Sequence, residues 1–424
     1  MSTSAGGGKL VVVGQGYVGL PLAVRAAECG RRVVGVDSDR VRVWNLQDGQ
    51  SYVDDVDSAR LKAVLESGNL IPTDDYDDAA EFDTAVITVP TPLRDSAPDL
   101  THVHAAVAEL GARLRPGALV VLESTTYPGT TAELVAPVLE QHSGLRAGAD
   151  FHVGYSPERI DPGNRRWNLV NTPKVISALH PESRSVVREF YAGLVDEVVE
   201  VSSPREAELA KLLENTFRHV NIALVNEMAV FAHRLGIDIW EAIDAASSKP
   251  FGFMRFSPGP GVGGHCLPVD PGYLSWAVRR GLGQEFRFVE LADDVNARMP
   301  EHVLHRLAEG LRERGKPLRS AKVMVLGIAY KPNTADVRES PALRLLHLLG
   351  DAGAAPVVVD ARAEPHRCPP ETKFVGLSRE SARDVDAAVL ITDHDDVDYD
   401  LVLEEVPWLL DTRNRLRGAN VQTL

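Results

Sequence analysis

The sequence predicts an α/β protein of two doubly wound domains joined by a helical central domain with one long helix. Three observations predict it. Short apolar, β-branched runs alternate with helical patterns near the start, at Lys9–Val13, Arg32–Val36, Thr84–Val89 and Ala118–Glu123. The same alternation restarts at Lys322–Leu326, Pro356–Val359 and Ala387–Ile391. Between the two lies a stretch with helical spacing, through Leu209, Leu212, Leu213, Phe217, Val220, Leu224 and Met228, which Gly236 closes. Runs that are apolar throughout suit strands buried on both faces of a parallel sheet. The domains read as 1–200, 201–300 and 301–424.

Each element has a local reason. After the first run come Gly14-Gln15-Gly16-Tyr17-Val18-Gly19 and a helical segment, Leu20–Glu28, up to Gly30. Strand, G-x-G-x-x-G and helix make the Rossmann-like opening of a dinucleotide-binding domain. Gly14 permits the turn, Gly16 admits a pyrophosphate to the backbone, and Gly19 lets helix pack on strand. The helix N-terminus then offers its unpaired N–H groups to the diphosphate. Asp37 closes the second strand eighteen residues after Gly19. Its carboxylate would accept from ribose hydroxyls and repel a 2′-phosphate, which favours NAD over NADP. Outside that context the glycines would be only a turn. Ser203-Pro204-Arg205-Glu206 has the form of a capping box with Pro at the first helical position. The helix it opens, roughly 30 residues and ~45 Å long, is long enough to connect domains or form a subunit interface. Gly327 after Lys322–Leu326, and Asp360 after Pro356–Val359, give the C-terminal third the same nucleotide-binding pattern.

Composition narrows the function classes. The 424 residues are 44% apolar and 25% charged, with 45 Lys plus Arg against 60 Asp plus Glu and a net charge of −15. So acidic a chain is a poor general binder of nucleic acid or anionic lipid. An anionic ligand would need a local cluster of cations and backbone N–H groups. The three cysteines, Cys29, Cys266 and Cys368, show no CxxC spacing. They predict neither a disulfide framework nor a metal site, and they suit a reducing cytoplasm. Residues 1–8 lack the pattern of a signal peptide, and every apolar stretch is broken well short of ~20 residues, so no membrane span is expected.

Three motifs carry chemistry. Pro258–Gly272 is so rich in Gly and Pro that it predicts a loop that brings backbone N–H groups close to a ligand. Cys266 within it has two readings, a small buried residue or a nucleophile. Beside NAD, a thiol can form the hemiacetal-like adduct from which hydride leaves an aldehyde. Asp270 is near enough in sequence to act as a base, whereas His265 is adjacent and would point elsewhere. Lys211 and Asn215 lie four apart on one helical face, either as a solvated pair or as a cation and an amide aimed at an oxyanion. Glu158 and Arg159, in Ser156-Pro157-Glu158-Arg159, form either a surface bridge or a substrate contact.

Together and in order, these pieces resemble the UDP-glucose/GDP-mannose dehydrogenase family over nearly the whole chain. The matching motifs are Gly14–Gly19, Val89-Pro90-Thr91-Pro92, Glu123-Ser124-Thr125-Thr126, Ser156–Arg159, Glu208–Asn215, Gly259–Pro271, Tyr330–Pro341 and Asp411-Thr412-Arg413. The resemblance implies a four-electron oxidation of a sugar CH2OH to the acid, with two NAD and one water consumed. It implies Cys266 as nucleophile through a thiohemiacetal and a thioester. Lys211 and Asn215 would stabilise developing charge, Asp270 would assist proton transfer, and Glu158 would serve proton transfer and thioester hydrolysis. Gly14, Gly16, Tyr17, Val18, Gly19, Asp37, Arg42, Thr91, Thr125 and Arg338 are implied at the cofactor. Glu158, Arg159, Lys211, Asn215, Arg255, Gly264, Lys331 and Arg413 are implied at the UDP-sugar, Arg413 on its diphosphate. A homodimer or larger homo-oligomer, with the long helix in its interface, is implied too.

Two features bear on the sugar. The UDP-glucose branch typically reads Cys-Phe-x-Lys-Asp, whereas this chain reads Cys266-Leu267-Pro268-Val269-Asp270. The run Gly264–Pro271, with Ser51-Tyr52-Val53-Asp54-Asp55 and Ser156–Asp161, looks instead like the branch that acts on UDP-N-acetylhexosamines. UDP-GlcNAc is the first expectation, with UDP-ManNAc and then UDP-glucose after it. Two competing readings are a two-electron dehydrogenase of the 6-phosphogluconate or hydroxyacyl-CoA type, which uses no thiol, and a non-enzymatic binder of NAD or nucleotide sugar. The first leaves the C-terminal α/β domain unexplained. The second sits badly with the presence of Cys266, Lys211 and Asp270.

Overall fold

The computed structural model describes residues 8–53, 55–161, 164, 166–264, 266–363, 365, 368 and 372–424, the side chains of 266 and 268 excepted. The chain divides into two compact units. The first runs to Glu214 and takes in Gly272–Gly281; the second comprises Asn215–Pro271 and Leu282–Leu424. Among the described residues no helix is long and apolar enough to cross a membrane.

The strands of the first unit are β1 (Lys9–Val13), β2 (Arg32–Val36), β3 (Leu70–Thr73), β4 (Thr84–Ile87), β5 (Leu93–Arg94), β6 (Ala97–Pro98), β7 (Leu119–Leu122), β8 (His152–Tyr155), β9 (Lys174–Ala178) and β10 (Val198–Glu200). The short pair β5 and β6 stands apart, and the others form one sheet in the order β10-β9-β8-β7-β4-β1-β2-β3. Alternation along β1 explains its all-apolar sequence. Leu10 and Val12 pack with Leu20, Ala23 and Val24 of the helix Gly19–Glu28. Val11 and Val13 pack with Val103, Val107 and Leu110 of the helix Thr101–Ala112 on the other face. Each side chain so buried contributes about 1.5–3 kcal/mol of transfer free energy.

Every neighbouring pair in this sheet is parallel except β8 with β9, which run antiparallel with Gly154 opposite Ala178 and Tyr155 opposite Ser177. The sequence predicts a parallel sheet and does not foresee this reversal. Its consequence is local: continued past the strand end, the same register sets Lys174, the first residue of β9, across from Glu158.

The second unit holds β11 (Lys322–Leu326), β12 (Ala355–Val359), β13 (Lys373–Phe374), β14 (Ala387–Leu390), β15 (Leu409–Asp411) and β16 (Val421–Thr423), all parallel in the order β13-β12-β11-β14-β15-β16. The turn after β11 repeats the turn after β1. Gly14 N–H donates to Val36 O at 2.8 Å and Gln15 N–H to Asp37 Oδ2 at 2.8 Å; Gly327 N–H donates to Val359 O at 3.0 Å and Ile328 N–H to Asp360 Oδ2 at 2.8 Å.

The long helix is Pro204–Leu235, 32 residues, begun in the first unit and ended in the second. Its start differs in detail from a capping box. The Ser203 hydroxyl donates to the Glu206 carboxylate and accepts from Arg205 N–H at 3.2 Å. The expected loop Pro258–Gly272 is corrected in its second half, because residue 266 begins a helix, Cys266–Leu282, that continues through Pro271. Pro268 falls in the first turn, where its missing N–H would have had no helical partner. Pro271 forgoes one hydrogen bond, which the turns after it outweigh. Asp54 and His265 lie outside the described residues.

Gly14 has φ +91°, and a Cβ there would stand 2.7 Å from Thr88 O. Gly14→Ala is therefore expected to cost about 1–3 kcal/mol, read as a melting temperature several degrees below the parent. An unchanged melt would refute the strain.

Candidate active site

At the carboxyl ends of β1, β2, β4, β7 and β8 the apolar runs give way to polar residues, as an open parallel sheet requires of a binding edge. After β1, among the described residues, nothing lies within 4 Å of where a Gly16 Cβ would be, and no side chain caps the helix Gly19–Glu28. The backbone there is open to a diphosphate and the first helical N–H groups are available to it. Asp37, buried, accepts Gln15 N–H on one oxygen and Asp39 N–H at 2.9 Å on the other; Arg42 stands 3.6 Å away. A carboxylate has about four acceptor positions, so room for ribose hydroxyls remains. Tyr52 Oη donates to Gln15 O at 2.6 Å and its ring lies 5.8 Å from the Arg42 guanidinium. Tyr17 is exposed and Val18 half-buried. These residues fit NAD. After β4 and β7, Thr91 Oγ1 donates to Thr125 O at 2.8 Å, and Tyr273 Oη donates to Thr91 O.

Further along the β7 end, Glu208 of the long helix accepts Gly129 N–H, Thr131 N–H at 2.9 Å and the Thr131 hydroxyl at 2.7 Å. The helical turn at Thr131–Val135 that follows is of the wide π type, a local distortion often found beside functional sites. Burial pushes the Glu208 carboxyl up to about 7 against the pull of those donors.

After β8, Glu158 is buried. Its Oε1 accepts Arg159 N–H and Ile160 N–H, both at 2.6 Å, and its Oε2 lies 3.3 Å from Lys174 Nζ. Arg159 turns away from it, donating to Pro173 O at 2.8 Å and bridging Glu214 of the long helix at 2.7 Å. Lys211, one helical turn before Asn215, is 8% exposed, so it does not sit on a solvated face.

In the second unit, Asn215 and Asp270 come together although 55 residues separate them, the Asn215 amide donating to Asp270 Oδ2 at 2.5 Å, both buried. The first half of the Gly/Pro segment is pinned by a buried amide chain. Gly259 N–H donates to Asn226 Oδ1 at 2.9 Å, and Asn226 Nδ2 donates to Asn296 Oδ1 at 2.9 Å. Gly264 has φ +87°, its N–H donates to Arg338 O at 3.1 Å, and a Cβ there would meet the Tyr330 ring. Arg413 packs against Gly259 and donates from Nε to Ile391 O at 2.6 Å; burial brings its guanidinium down to about 10 although Asp411 and Asp393 favour the charge. Such a cation suits a diphosphate. Arg338 forks onto Asp336, Arg255 bridges Asp244, and Lys331 is half-buried. The side chain of Cys266 lies outside the described atoms, and its backbone occupies the first position of a helix.

Sequence reading gave no role to Glu123 and Glu208, though both stand in the matching motifs, and passed over Lys174, Tyr191 and Asn226; Glu123, Lys174 and Tyr191 cluster with Glu158. Lys174 carried one signal, a charge at the head of an apolar strand, but no spacing links it to its partners.

Profiles of the UDP-glucose/GDP-mannose dehydrogenase family match the chain in three consecutive stretches. The NAD binding domain matches residues 8–195, the central domain 205–298 and the UDP binding domain 324–418. The chain is 37% identical over 342 residues, 80% of each protein, to the UDP-N-acetyl-D-mannosamine dehydrogenase of Pyrococcus horikoshii. It is 38% identical over 345 residues, 81% of this chain and 80% of the other, to the UDP-N-acetyl-D-glucosamine 6-dehydrogenase of Pseudomonas aeruginosa. Among solved structures, a UDP-glucose dehydrogenase from Pyrobaculum islandicum superposes with TM-score 0.89 at 30% identity, covering 100% of this chain and 98% of that one. The Pyrococcus horikoshii UDP-D-ManNAc dehydrogenase superposes with TM-score 0.87 at 32% identity, covering 98% of both.

Glu208 yields a pH prediction. The folded chain holds its proton from the ordinary 4.5 up to about 7, so unfolding releases a proton in that window. The stability tied to the neutral carboxyl is full below pH ~4.5 and lost as pH rises to ~7, on the order of 3 kcal/mol. The melting temperature of the parent minus that of Glu208→Gln should therefore fall across this range; a flat difference would count against a raised carboxyl.

Proposed function

The chain belongs to the UDP-glucose/GDP-mannose dehydrogenase family, and from that premise we propose that it oxidises C6 of a UDP-N-acetylhexosamine, UDP-GlcNAc first, to the uronic acid. The observation that carries the sugar class is the run Gly264–Pro271, in which Val269 stands where the UDP-glucose branch has lysine. UDP-ManNAc is the second choice, favoured by the Pyrococcus horikoshii relative, and UDP-glucose the third. The balance is RCH2OH, water and two NAD+ to RCOO−, two NADH and three protons.

When bound, NAD accepts the hydride of each oxidation. Gly14, Gly16, Tyr17, Val18, Gly19, Asp37, Arg42, Thr91, Thr125 and Arg338 form its binding residues in this reading. Arg159, Arg255, Gly264, Lys331 and Arg413 hold the nucleotide sugar. Cys266 adds to the aldehyde to give a thiohemiacetal, whose oxidation leaves a thioester; the head of a helix is a position that favours a thiolate. Lys211 and Asn215 stabilise the oxyanion, their burial strengthening each interaction. Asp270, oriented by Asn215, assists proton transfer, and Glu158 takes the proton of the hydrolytic water. We assign 1–200 to cofactor binding, 201–300 to dimerisation and 301–424 to UDP-sugar binding.

We also propose a homodimer or larger assembly through the long helix. Phe217, Leu224, Met228 and Phe231 are exposed at helical spacing along it, an apolar stripe of the kind that marks an interface.

With excess NAD and limiting UDP-GlcNAc, two NADH per sugar are expected at completion. Cys266→Ser should cut kcat roughly 10³-fold or more. One NADH per sugar, or an active serine variant, would return the case to a two-electron dehydrogenase; turnover of only UDP-ManNAc or UDP-glucose would move the sugar assignment. Leu224→Glu with Met228→Glu should shift the mass in light scattering to that of one chain, and an unchanged mass would remove the helix from the interface.

A further inference from the structure

Around Glu158 the first unit buries two further charges, Lys174 and Glu123, that the roles above do not use. Lys174 heads β9 with its side chain 4% exposed. Its ammonium lies 3.2 Å from Glu123 Oε2, 3.3 Å from Glu158 Oε2 and 3.4 Å from Pro157 O. It also sits 5.5 Å from the centre of the Tyr191 ring, whose hydroxyl donates to Glu123 Oε1. Glu123 and Tyr191 are fully buried.

Burying two carboxylates and an ammonium is a poor route to stability, since desolvation offsets much of their attraction and apolar replacements often serve as well. The geometry gives the cluster a different use. Glu158 Oε1 is fixed by two backbone N–H groups, which leaves rotation of the carboxylate and the placement of Oε2 to be set by Lys174. Glu123, itself held by Tyr191, is the counter-charge that keeps the ammonium in place. Only the antiparallel reversal of β9 brings the first residue of a strand to this edge of the sheet.

We propose that Lys174 is a positioning residue for the hydrolytic half of the reaction, holding the Glu158 carboxylate, with Glu123 behind it, where it receives the proton of the attacking water. This rests on the reading that Glu158 serves thioester hydrolysis. In that step the water oxygen bonds to the acyl carbon, the C–S bond breaks with its electron pair going to sulfur, and the water proton passes to Glu158. Proton transfer in the oxidations is assigned above to Asp270, so loss of Lys174 is expected to slow the last step and to spare the hydride transfers.

The test uses the full-length enzyme with NAD and UDP-GlcNAc, or whichever parallel sugar turns over, and follows NADH by stopped flow and covalent adducts by intact mass. Lys174→Met with Glu123→Gln removes the ammonium and neutralises the carboxylate it would otherwise strand. Lys174→Gln, which keeps a donor, stands in should the double variant not fold as judged by its melt. Expected are a first-turnover NADH burst near the parent rate, a steady rate down roughly 10²-fold, and enzyme carrying the uronosyl nucleotide as a thioester. Lys174→Arg, with its charge retained, should recover most of the steady rate. Equal loss of burst and steady rate with no adduct, or a steady rate equal to the parent's, overturns the proposal. Glu158→Gln separates the two layers: an adduct in that variant but not in the Lys174 variants sinks Lys174 alone, whereas no adduct in Glu158→Gln sinks the reading of Glu158 and the proposal with it.

Discussion

Parallel strand pairing is the constraint on which the rest depends. When β1, β2, β4, β7 and β8 all run the same way, their carboxyl ends form a single edge, and every residue just past a strand end is delivered to it. Gly14, Asp37, Thr91, Thr125 and Glu158 reach that edge from five separate stretches of sequence. Their backbones are held by a core so apolar that Leu10, Val11 and Val12 expose nothing. Polar groups can be kept at the edge because the strands themselves carry none of the chemistry.

The two α/β units show how one turn can be put to different ends. Asp37 and Asp360 each accept the N–H that follows the glycine of their turn. Asp360 goes further, accepting Ala329, Arg362 and Ala363 N–H and lying 3.3 Å from His394. Burial pushes its carboxyl up, yet the bonds from His394, Ile328 and Arg362 win and hold it below the usual range. Its acceptor positions are spent on the fold, whereas Asp37 keeps some for a ligand. The same scaffold is therefore a dinucleotide turn in one unit and a structural knot in the other. Among the cations of the second unit, Arg306 and Arg413 are both desolvated by burial.

Buried polar bonds fix the segments that carry the residues proposed to react. Asn226 and Asn296 tether Gly259, Asn215 grips Asp270, and Glu208 gathers Gly129 and Thr131. Each tether uses a side chain from the long helix, Glu208 within the first unit and Asn215 and Asn226 within the second. A side chain left unpaired in such surroundings costs about 1–3 kcal/mol, which makes each tether all-or-none.

The sequence by itself determined the alternation of strands and helices, the glycine turn with its acid, the long helix, and the order of motifs that marks the family. Those are local or periodic signals, carried by backbone sterics and by one-dimensional spacing of apolar residues. Tertiary structure alone decided that β9 runs antiparallel, that residue 266 opens a helix rather than lying in a loop, that Arg159 bridges Glu214, and that Lys174 meets Glu123 and Glu158. The reason is physical: two carboxylates and an ammonium, spread over some fifty residues of sequence, become partners only when strand direction and register bring them to one buried place. No spacing in the chain records that meeting.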